Sequence, residues 1–511
     1  MKSFTRIKII HGIEYLYEIT PYYDSQTKTI RQRSKYLGKN KKGKAVRVRQ
    51  HIPVHALCYG EFLPVVAVIE ELRIKETVEK HLERHEVEAI VAIVLNRATY
   101  PLALQHLASW YEGTYLYREG ESVSLSSQWI SRLLDKIGRS SLPLVLSEQL
   151  LRQLGTTSTF VYDITSLSSY TKAIEMLEYG YNRDEDGLPQ INMSLIVDRE
   201  LGIPVMYDLY PGSIVDVSTL VNTLTKLKGY GIQNCVLVLD RGFFSIANIR
   251  DLERSEVSYV IPASYTIKCV RVALSALQRK LTDPNLMKMY KGKPLFVSDV
   301  QVKIGTDMVQ GYCYYIPKRQ KEEQEGFYKR LYDIKKAIES LSPARGRRLR
   351  QRIDAVAARY KQYLTVTVDK DTIQVSIKKN AVSQHVNRMG KFIILYKGKM
   401  DWEECLSTYR SKDIVEKGFD ILKNDLQVYT PNVRKEATLR GLLFLCFIGL
   451  IVRMRLMKKM QESGLSEKYS ITGLLTELRK LKIIELTDGK RMRTERTKKQ
   501  KEILACLNLC A

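Results

Sequence analysis

Histidine is scarce in this chain: there are seven in 511 residues and none between His106 and His385. Chemistry in that middle stretch therefore has no imidazole base and must run on carboxylates, hydroxyls or lysines. The eight cysteines (58, 235, 269, 313, 405, 446, 506 and 510) form no Cys-x-x-Cys, and three lie inside apolar runs, as reduced core residues would. His51/His55 and His81/His85 have helical metal-ligand spacing, but no nearby cysteine completes a zinc set. A long hydrophobic run is missing too. The longest, Gly441 to Val452, is too short to span a bilayer and sits between Arg440 and Arg453, so it reads as a buried helix. MKSFTRIKII has neither the apolar core nor the small-residue cleavage site of a secretory signal, and the expected location is the cytoplasm. No internal repeat and no low-complexity segment is present.

Acid is the other shortage. Against 82 Lys and Arg stand 56 Asp and Glu, a net charge of +26, which makes a polyanion, nucleic acid above all, the expected partner and a membrane surface the rival. From Ser25 to Gly60 there are ten basic residues and no acid. Residues 1–60 thus read as a basic arm, β-rich or loosely ordered, with Lys41 and Lys42 as DNA contacts and a solvated tail as the alternative. Within it GKNKKGKA mimics a phosphate loop, but Ala45 lacks the hydroxyl that would hold magnesium and no apolar strand precedes it, so an ATPase is rejected.

With 44% hydrophobic residues the chain is globular, and its length suggests about three or four domains. Residues 61–155 carry helical periodicity. Their last segment, SSQWISRLLDKIGR, begins with capping serines and puts Gln128, Arg132 and Lys136 on one stripe, as a DNA-reading helix of a helix-turn-helix or a member of a small bundle would. At Thr156 the period changes. TSTFVYDITS is a strand carrying Asp163; INMSLIVD and IPVMYDLY form a hairpin after it; NCVLVLDRGFFS is a buried strand that delivers Asp240 at its C-terminal end. Residues 156–262 therefore predict the first part of an α/β core. Residues 263–389 read as an inserted, mainly β domain around a long charged helix. The core resumes over 390–458, and 459–511 is a basic C-terminal region whose KIIELTDGKRMRTERT is a hairpin turning at Asp488 and Gly489.

After the strand KFIILY comes DWEECLSTYRSKDIVEKGFDILKND, which reads as one long helix started by Asp401 and Glu404. On a regular helix Tyr409, Lys412, Glu416 and Lys423 fall within about 60° of one another, forming a polar stripe that is either a solvated face or one wall of a site. Asp163, Asp240 and Glu416 are thus three acids placed at two strand ends and on a helix. Hard cations take oxygen ligands, and two ions about 4 Å apart suit phosphodiester exchange without histidine. Asp184, Asp186, Asp198, Asp208 and Asp216 compete, but fall in turns, at hairpin ends or at a helix start.

This set resembles that of the DDE transposases of bacterial insertion sequences, of the insertion sequence 4 type and its close relatives, which are built on an RNase H-like core. The family's signature is Tyr, two residues, Arg, three residues, Glu, six residues, Lys; Tyr409, Lys412, Glu416 and Lys423 stand in those places, with lysine replacing the arginine. That change keeps the charge and loses the bidentate fork. YDITS carries the first Asp and LDRGFF resembles the second block. GYNRDEDGLPQ, YPGSIVD and KYLGK are weaker echoes, and Asp216 matches the family's pattern.

The resemblance implies an RNase H-like mixed sheet with an inserted domain between the second Asp and the Glu. It further implies Asp163, Asp240 and Glu416 as catalytic ligands of two Mg2+ or Mn2+ ions, and Tyr409, Lys412 and Lys423 as holders of end phosphates. The expected partners are double-stranded DNA, as terminal inverted repeats and target, and a second subunit in the synaptic complex, with no membrane. Phe243 and Phe244 either stack on an unpaired base or, the preferred reading, seal the following helix onto the sheet. A nuclease on the same core and a retired DNA-binding repressor are the alternatives.

Overall fold

A computed structural model describes the chain apart from residues 1, 25–26, 47–51, 120–122, 155–157, 172, 181–186, 215, 233, 256, 279, 342–346, 370–371, 429–432 and 510–511; the side chains of 46, 119, 216–218 and 347 also lie outside the description. The chain divides into two compact units, one of Met1–Leu63, Ala108–Ser122 and Thr472–Ala511, the other of Pro64–Leu107 and Val123–Ile471.

The first unit opens with an antiparallel sheet of four strands in sequence order, β1 (Phe4–Ile10), β2 (Ile13–Asp24), β3 (Thr29–Lys41) and β4 (Lys44–Val46). The basic arm is therefore a folded sheet. The stretch that mimics a phosphate loop is the β3–β4 hairpin, with Lys42 and Gly43 at φ 53° and 79°, the left-handed pair a tight hairpin turn requires. β5 (Pro53–Cys58) pairs with β17 (Lys482–Leu486), which pairs with β18 (Arg491–Arg493) across the turn at Asp488 and Gly489. Helices α4 (Leu107–Glu112), α5 (Leu116–Glu119), α17 (Ile471–Leu478) and α18 (Lys498–Cys506) complete the unit.

The second unit begins with helices α1 (Leu63–Glu71), α2 (Ile74–Glu79), α3 (Arg84–Thr99), α6 (Ser127–Arg139) and α7 (Leu142–Arg152). The Ser126 hydroxyl caps α6 by accepting from Trp129 N–H. Its inner side lies on the long apolar α16 (Glu436–Glu462), and the crossing is so close that a Cβ on Gly138 would stand 1.8 Å from the Ala437 carbonyl, and one on Gly441 2.0 Å from that of Leu134. Lys136 is tied to Glu86 at 2.7 Å, while Gln128 and Arg132 stay exposed. α6 thus packs one side on α16 and leaves the predicted stripe on its outer side, with Lys136 held by Glu86. By length and apolarity α16 would qualify as a membrane span, yet 89% of that stretch is buried inside the protein.

Nine strands form the main sheet, in the order β11-β12-β13-β16-β10-β9-β6-β7-β8. β6 (Ser158–Ser168), β7 (Gln190–Asp198) and β8 (Ile203–Pro211) are an antiparallel meander; β9 (Cys235–Leu239) runs parallel to β6 on its other side and β10 (Ser258–Pro262) parallel to β9. α8 (Asp216–Gly229) and α9 (Ile246–Arg254) make the crossovers. This is the mixed α/β core that the sequence predicts.

The inserted segment departs from expectation. β11 (Met287–Tyr290), β12 (Lys293–Ile304) and β13 (Asp307–Tyr315) extend the main sheet, because β13 pairs with β16 (Lys391–Lys397) over Gly311–Tyr315. The chain beyond β13 is mainly helical: α11 (Pro317–Glu339), α12 (Arg347–Ala357) and α13 (Lys379–Val386) surround one hairpin, β14 (Leu364–Val368) with β15 (Ile373–Ile377). Between β10 and β11 lies α10 (Lys268–Leu277). A mainly β inserted domain is therefore corrected to a sheet extension leading into a helical subdomain with its own core around Phe327, Leu331 and Ile338.

Candidate active site

β9 is apolar along its length, so it sits in the middle of the sheet, and its apolar run stops at Asp240. A 3₁₀ turn over Arg241–Phe243 comes directly after it, closed by Phe243 N–H on the Asp240 carbonyl at 3.1 Å. The parallel register places Tyr162 of β6 beside Leu239, so Asp163 comes next to Asp240 where the β6–β9 pairing stops; Asp163 is not the strand end the sequence predicts, because β6 continues to Ser168 paired with β7. Tyr162 points the other way, where its hydroxyl donates to Thr219 of α8 at 2.8 Å.

The predicted long helix from Asp401 is broken in two places. α14 (Trp402–Arg410) starts as expected, with the Asp401 carboxylate accepting Glu404 N–H at 2.8 Å. At Ser411 and Lys412 the backbone tightens to bonds three residues apart, Ser411 to Thr408 and Lys412 to Tyr409, and the Ser411 hydroxyl donates to the Thr408 carbonyl at 2.6 Å. α15 (Asp413–Asp420) resumes and then widens into a π turn over Ile421–Asp425, closed by Leu426 N–H on Ile421. π turns recur at functional sites. Arg453 anchors this end, bonding Asp425 at 2.5 Å and the Ala98 carbonyl at 2.7 Å.

α15 lies on the sheet face that carries Asp163. Leu195 is the register partner of Asp163 on β7, and Gly418 packs against that leucine and Met454, close enough that a Cβ there would meet the Met454 sulfur at 3.1 Å. Glu416 is two residues before Gly418. Its carboxylate accepts from Lys412 Nζ at 2.8 Å, and the same ammonium stands 3.5 Å from Asp240. One cation thus bridges the second and third acids. Burial works against the charge on Lys412, yet the Glu416 hydrogen bond and the fields of Asp240, Tyr409 and Glu416 outweigh it and hold the ammonium pKa above the ordinary lysine value. Lys412 also lies over the Tyr409 ring, 5.9 Å from its centre. Tyr409 is half-buried, and burial, opposed by Lys412, raises its phenol pKa.

Asp163 is buried, and one of its oxygens accepts the Ile164 N–H at 2.8 Å. Among the described residues no group of three or more His, Cys, Asp or Glu side chains is gathered to hold a metal ion, so Asp163, Asp240 and Glu416 do not form a closed ligand set. The acids form an open set: two carboxylates sharing an ammonium, with a third on the neighbouring strand of the same face. An all-oxygen set already balanced by one cation fits a hard divalent ion better than a soft one.

The other predicted residues divide. Lys423 is half-buried in the π turn, where its place relative to Glu416 is not that of a regular helix. Phe243 and Phe244 are both buried, Phe243 at 5.0 Å from Tyr162 on the far side of the sheet from Asp163, so neither offers a free ring to a base. Arg132 is exposed on α6, and Lys41 and Lys42 are exposed on the hairpin tip of the first unit. Asp198 accepts Leu201 N–H at 2.7 Å in the β7–β8 turn, and Asp208 is ion-paired with Lys226. Asp184 and Asp186, and the side chain of Asp216, lie outside the described residues.

Residues missed in the sequence line a cavity of about 970 Å³ that begins at Arg241, next to Asp240, and runs into the helical subdomain. Arg319, Lys329, Arg330, Arg359, Arg388 and Lys391 line it against only Glu323 and Asp333, with Phe327, Tyr360, Tyr363 and His385 among them. Arg241 and Arg319, which line it, also oppose the rise that burial causes in the Tyr409 phenol pKa. No local pattern marks these bases, which with Arg241 are scattered from position 241 to position 391 and meet only in the fold.

Residues 155–452 match the family model described as the transposase DDE domain. The chain belongs to the DDE transposase family. Among solved structures this transposase is similar to the piggyBac transposase in a synaptic complex with hairpin DNA, at 9% sequence identity and a TM-score of 0.35, with 83% of this chain and 82% of that chain covered. No curated protein matches its sequence. The match contains Asp163, Asp240 and Glu416, and excludes the basic sheet of the first unit.

Proposed function

We propose that this transposase binds the ends of a bacterial insertion sequence of the insertion sequence 4 type, cuts the DNA there and joins the freed end to a target. The observation that carries the reading is the single ammonium of Lys412 bridging Asp240 and Glu416, with Asp163 on the strand next to that of Asp240. The strand order β8-β7-β6-β9-β10, three antiparallel strands and then two parallel ones, supports an RNase H-like core. Asp163, Asp240 and Glu416 are the residues that would hold two Mg2+ or Mn2+ ions. Such ions supply charge for the attacking and leaving oxygens of a phosphodiester. Lys412 shares its charge with a DNA phosphate, Tyr409 sets the position of that ammonium, and Lys423 adds a further positive group. The 3′ hydroxyl freed by cutting attacks a target phosphorus; a new O3′–P bond forms as the target's own P–O3′ bond breaks, and the departing oxygen takes up a proton. The basic cavity at Arg241 gives the strand a continuous cationic track beyond the cut. A dimer on DNA, in the bacterial cytoplasm at the nucleoid, completes the proposal.

The test is nicking and strand transfer on a DNA end under Mg2+ with Glu416→Gln. The variant should lose nicking and joining while binding the end with nearly unchanged affinity, because the substitution removes a ligand rather than a phosphate contact. Unchanged cleavage would remove α15 from the site. Hydrolysis by the native protein without any joining of a pre-cut end would favour the nuclease reading.

A further inference from the structure

The four-stranded sheet of the first unit sorts its acids by face, although Arg31, Arg33 and Lys35 share the acidic face. Residues 3–46 contain three carboxylates, Glu14, Glu18 and Asp24, at even positions of β2 and so on one face. There Glu14 accepts from Asn40 at 2.7 Å, Glu18 from Ser3 at 3.2 Å, and Asp24 pairs with Arg31 at 3.2 Å. The acids of that face are already satisfied within the sheet.

The opposite face carries no acid among the described residues. Two of its cross-strand rows are Arg6–Tyr17–Tyr36 and Lys8–Tyr15–Lys39, next to the uncharged row Phe4–Ile19–Ser34, and an irregularity between Leu16 and Tyr17 leaves Leu37 as the extra residue without disturbing them. Lys41 and Lys44, opposite one another, continue the cationic stripe to the hairpin tip. The Tyr36 ring lies 5.5 Å from that of Tyr17 and 5.9 Å from that of Tyr15, and the Lys8 ammonium stands 4.7 Å over the Tyr17 ring. Tyr36 is 45% exposed. A row of cations beside clustered tyrosines, with the Tyr36 ring exposed and those of Tyr15 and Tyr17 half-buried, suits a polyanion whose bases are free to stack. A duplex would use the cations and leave the rings idle, since its bases stack on one another.

We propose that this face binds single-stranded DNA, with Tyr36 and Tyr15 stacking on unpaired bases and the lysines of the stripe holding the phosphates. The inference rests on the transposase reading only for the identity of the polyanion. It adds a site outside the catalytic unit for the unpaired strand that cutting and joining expose.

The experiment is fluorescence anisotropy of the full-length protein, without divalent metal, with labelled oligothymidine and with a duplex of equal length. Tyr36→Ala should weaken single-strand binding about tenfold and duplex binding less than twofold, whereas Tyr36→Phe should bind normally. Lys39→Ala with Lys41→Ala should flatten the salt dependence of single-strand binding by about 1.4 in the logarithmic slope. Equal loss on both DNAs, or no loss on the single strand, overturns the proposal. Should Tyr36→Ala fail to fold, the lysine pair carries the test, and an unchanged salt slope overturns it. End nicking under Mg2+ is read in parallel on the native protein. Absent nicking with Tyr36-dependent binding sinks the catalytic reading alone, and the reverse combination sinks this one alone.

Discussion

Removing the Lys412 ammonium by Lys412→Ala should make the protein bind a divalent ion more tightly while cutting DNA less well. The ammonium sits 2.8 Å from Glu416 and 3.5 Å from Asp240, so any ion entering must compete with it for both carboxylates. The three side chains are 27%, 55% and 42% exposed, so water screens them and the water-limited Coulomb values of about 1.5 and 1.2 kcal/mol are the appropriate gross figures. Exposed pairs return only part of that, which leaves about 1 to 2 kcal/mol of lost competition, or a 5- to 30-fold gain in Mn2+ affinity. Cleavage should fall because the same group is proposed to hold the phosphate. Calorimetric titration of Mn2+ into the DNA-free variant and native protein reads the first effect, and a nicking assay the second. Equal or weaker Mn2+ binding by the variant would refute the reasoning, because it would mean that the ion does not enter between these carboxylates.

Gly441→Ala places a methyl 2.0 Å from the Leu134 carbonyl, and since backbone cannot rotate aside, α6 and α16 must part; a loss of about 3 kcal/mol and a melting temperature lower by several degrees are expected in thermal unfolding. An unchanged melting temperature would mean that the crossing is looser than described. Glu71 of α1 accepts from Arg455 and Lys459 of α16, each at 2.8 Å, and although burial opposes its charge these bonds hold its carboxyl below the usual glutamate range. A depressed carboxylate pKa contributes stability that is present above the unfolded value, near 4.3, and disappears as pH falls through the folded value. Glu71→Gln should therefore cost less than about 1 kcal/mol at neutral pH, given its partial exposure, and nothing in strong acid. A difference that stays constant with pH would contradict the pairing.

The parts of this molecule legible in its sequence are those set by local chemistry. Asp401 caps a helix, Ser126 caps another, and the apolar run of β9 ends at Asp240, each within one turn or strand of the residues that cause it. The parts hidden from it depend on partners far away. The insertion looks separate because β13 finds its neighbour β16 some 80 residues on, past the helical subdomain. The helix carrying Glu416 looks continuous because the Ser411 side-chain bond and the Arg453 anchor, which accompany its changes of pitch, leave no mark on apolar spacing. Phe243 reads as a stacking ring or, preferably, as a seal for the following helix, and only Tyr162 packed against it decides for the buried role. The tyrosine and lysine face needed the register as well, since the bulge at Leu37 decides which side Lys39 and Lys41 occupy.

The most direct measurement of the central claim is the anomalous scattering of Mn2+ soaked into crystals of the protein. Manganese peaks flanked by the carboxylates of Asp163, Asp240 and Glu416 are expected, with Lys412 displaced from between the last two. Manganese bound elsewhere, with the Lys412 bridge intact at saturating metal, would contradict it.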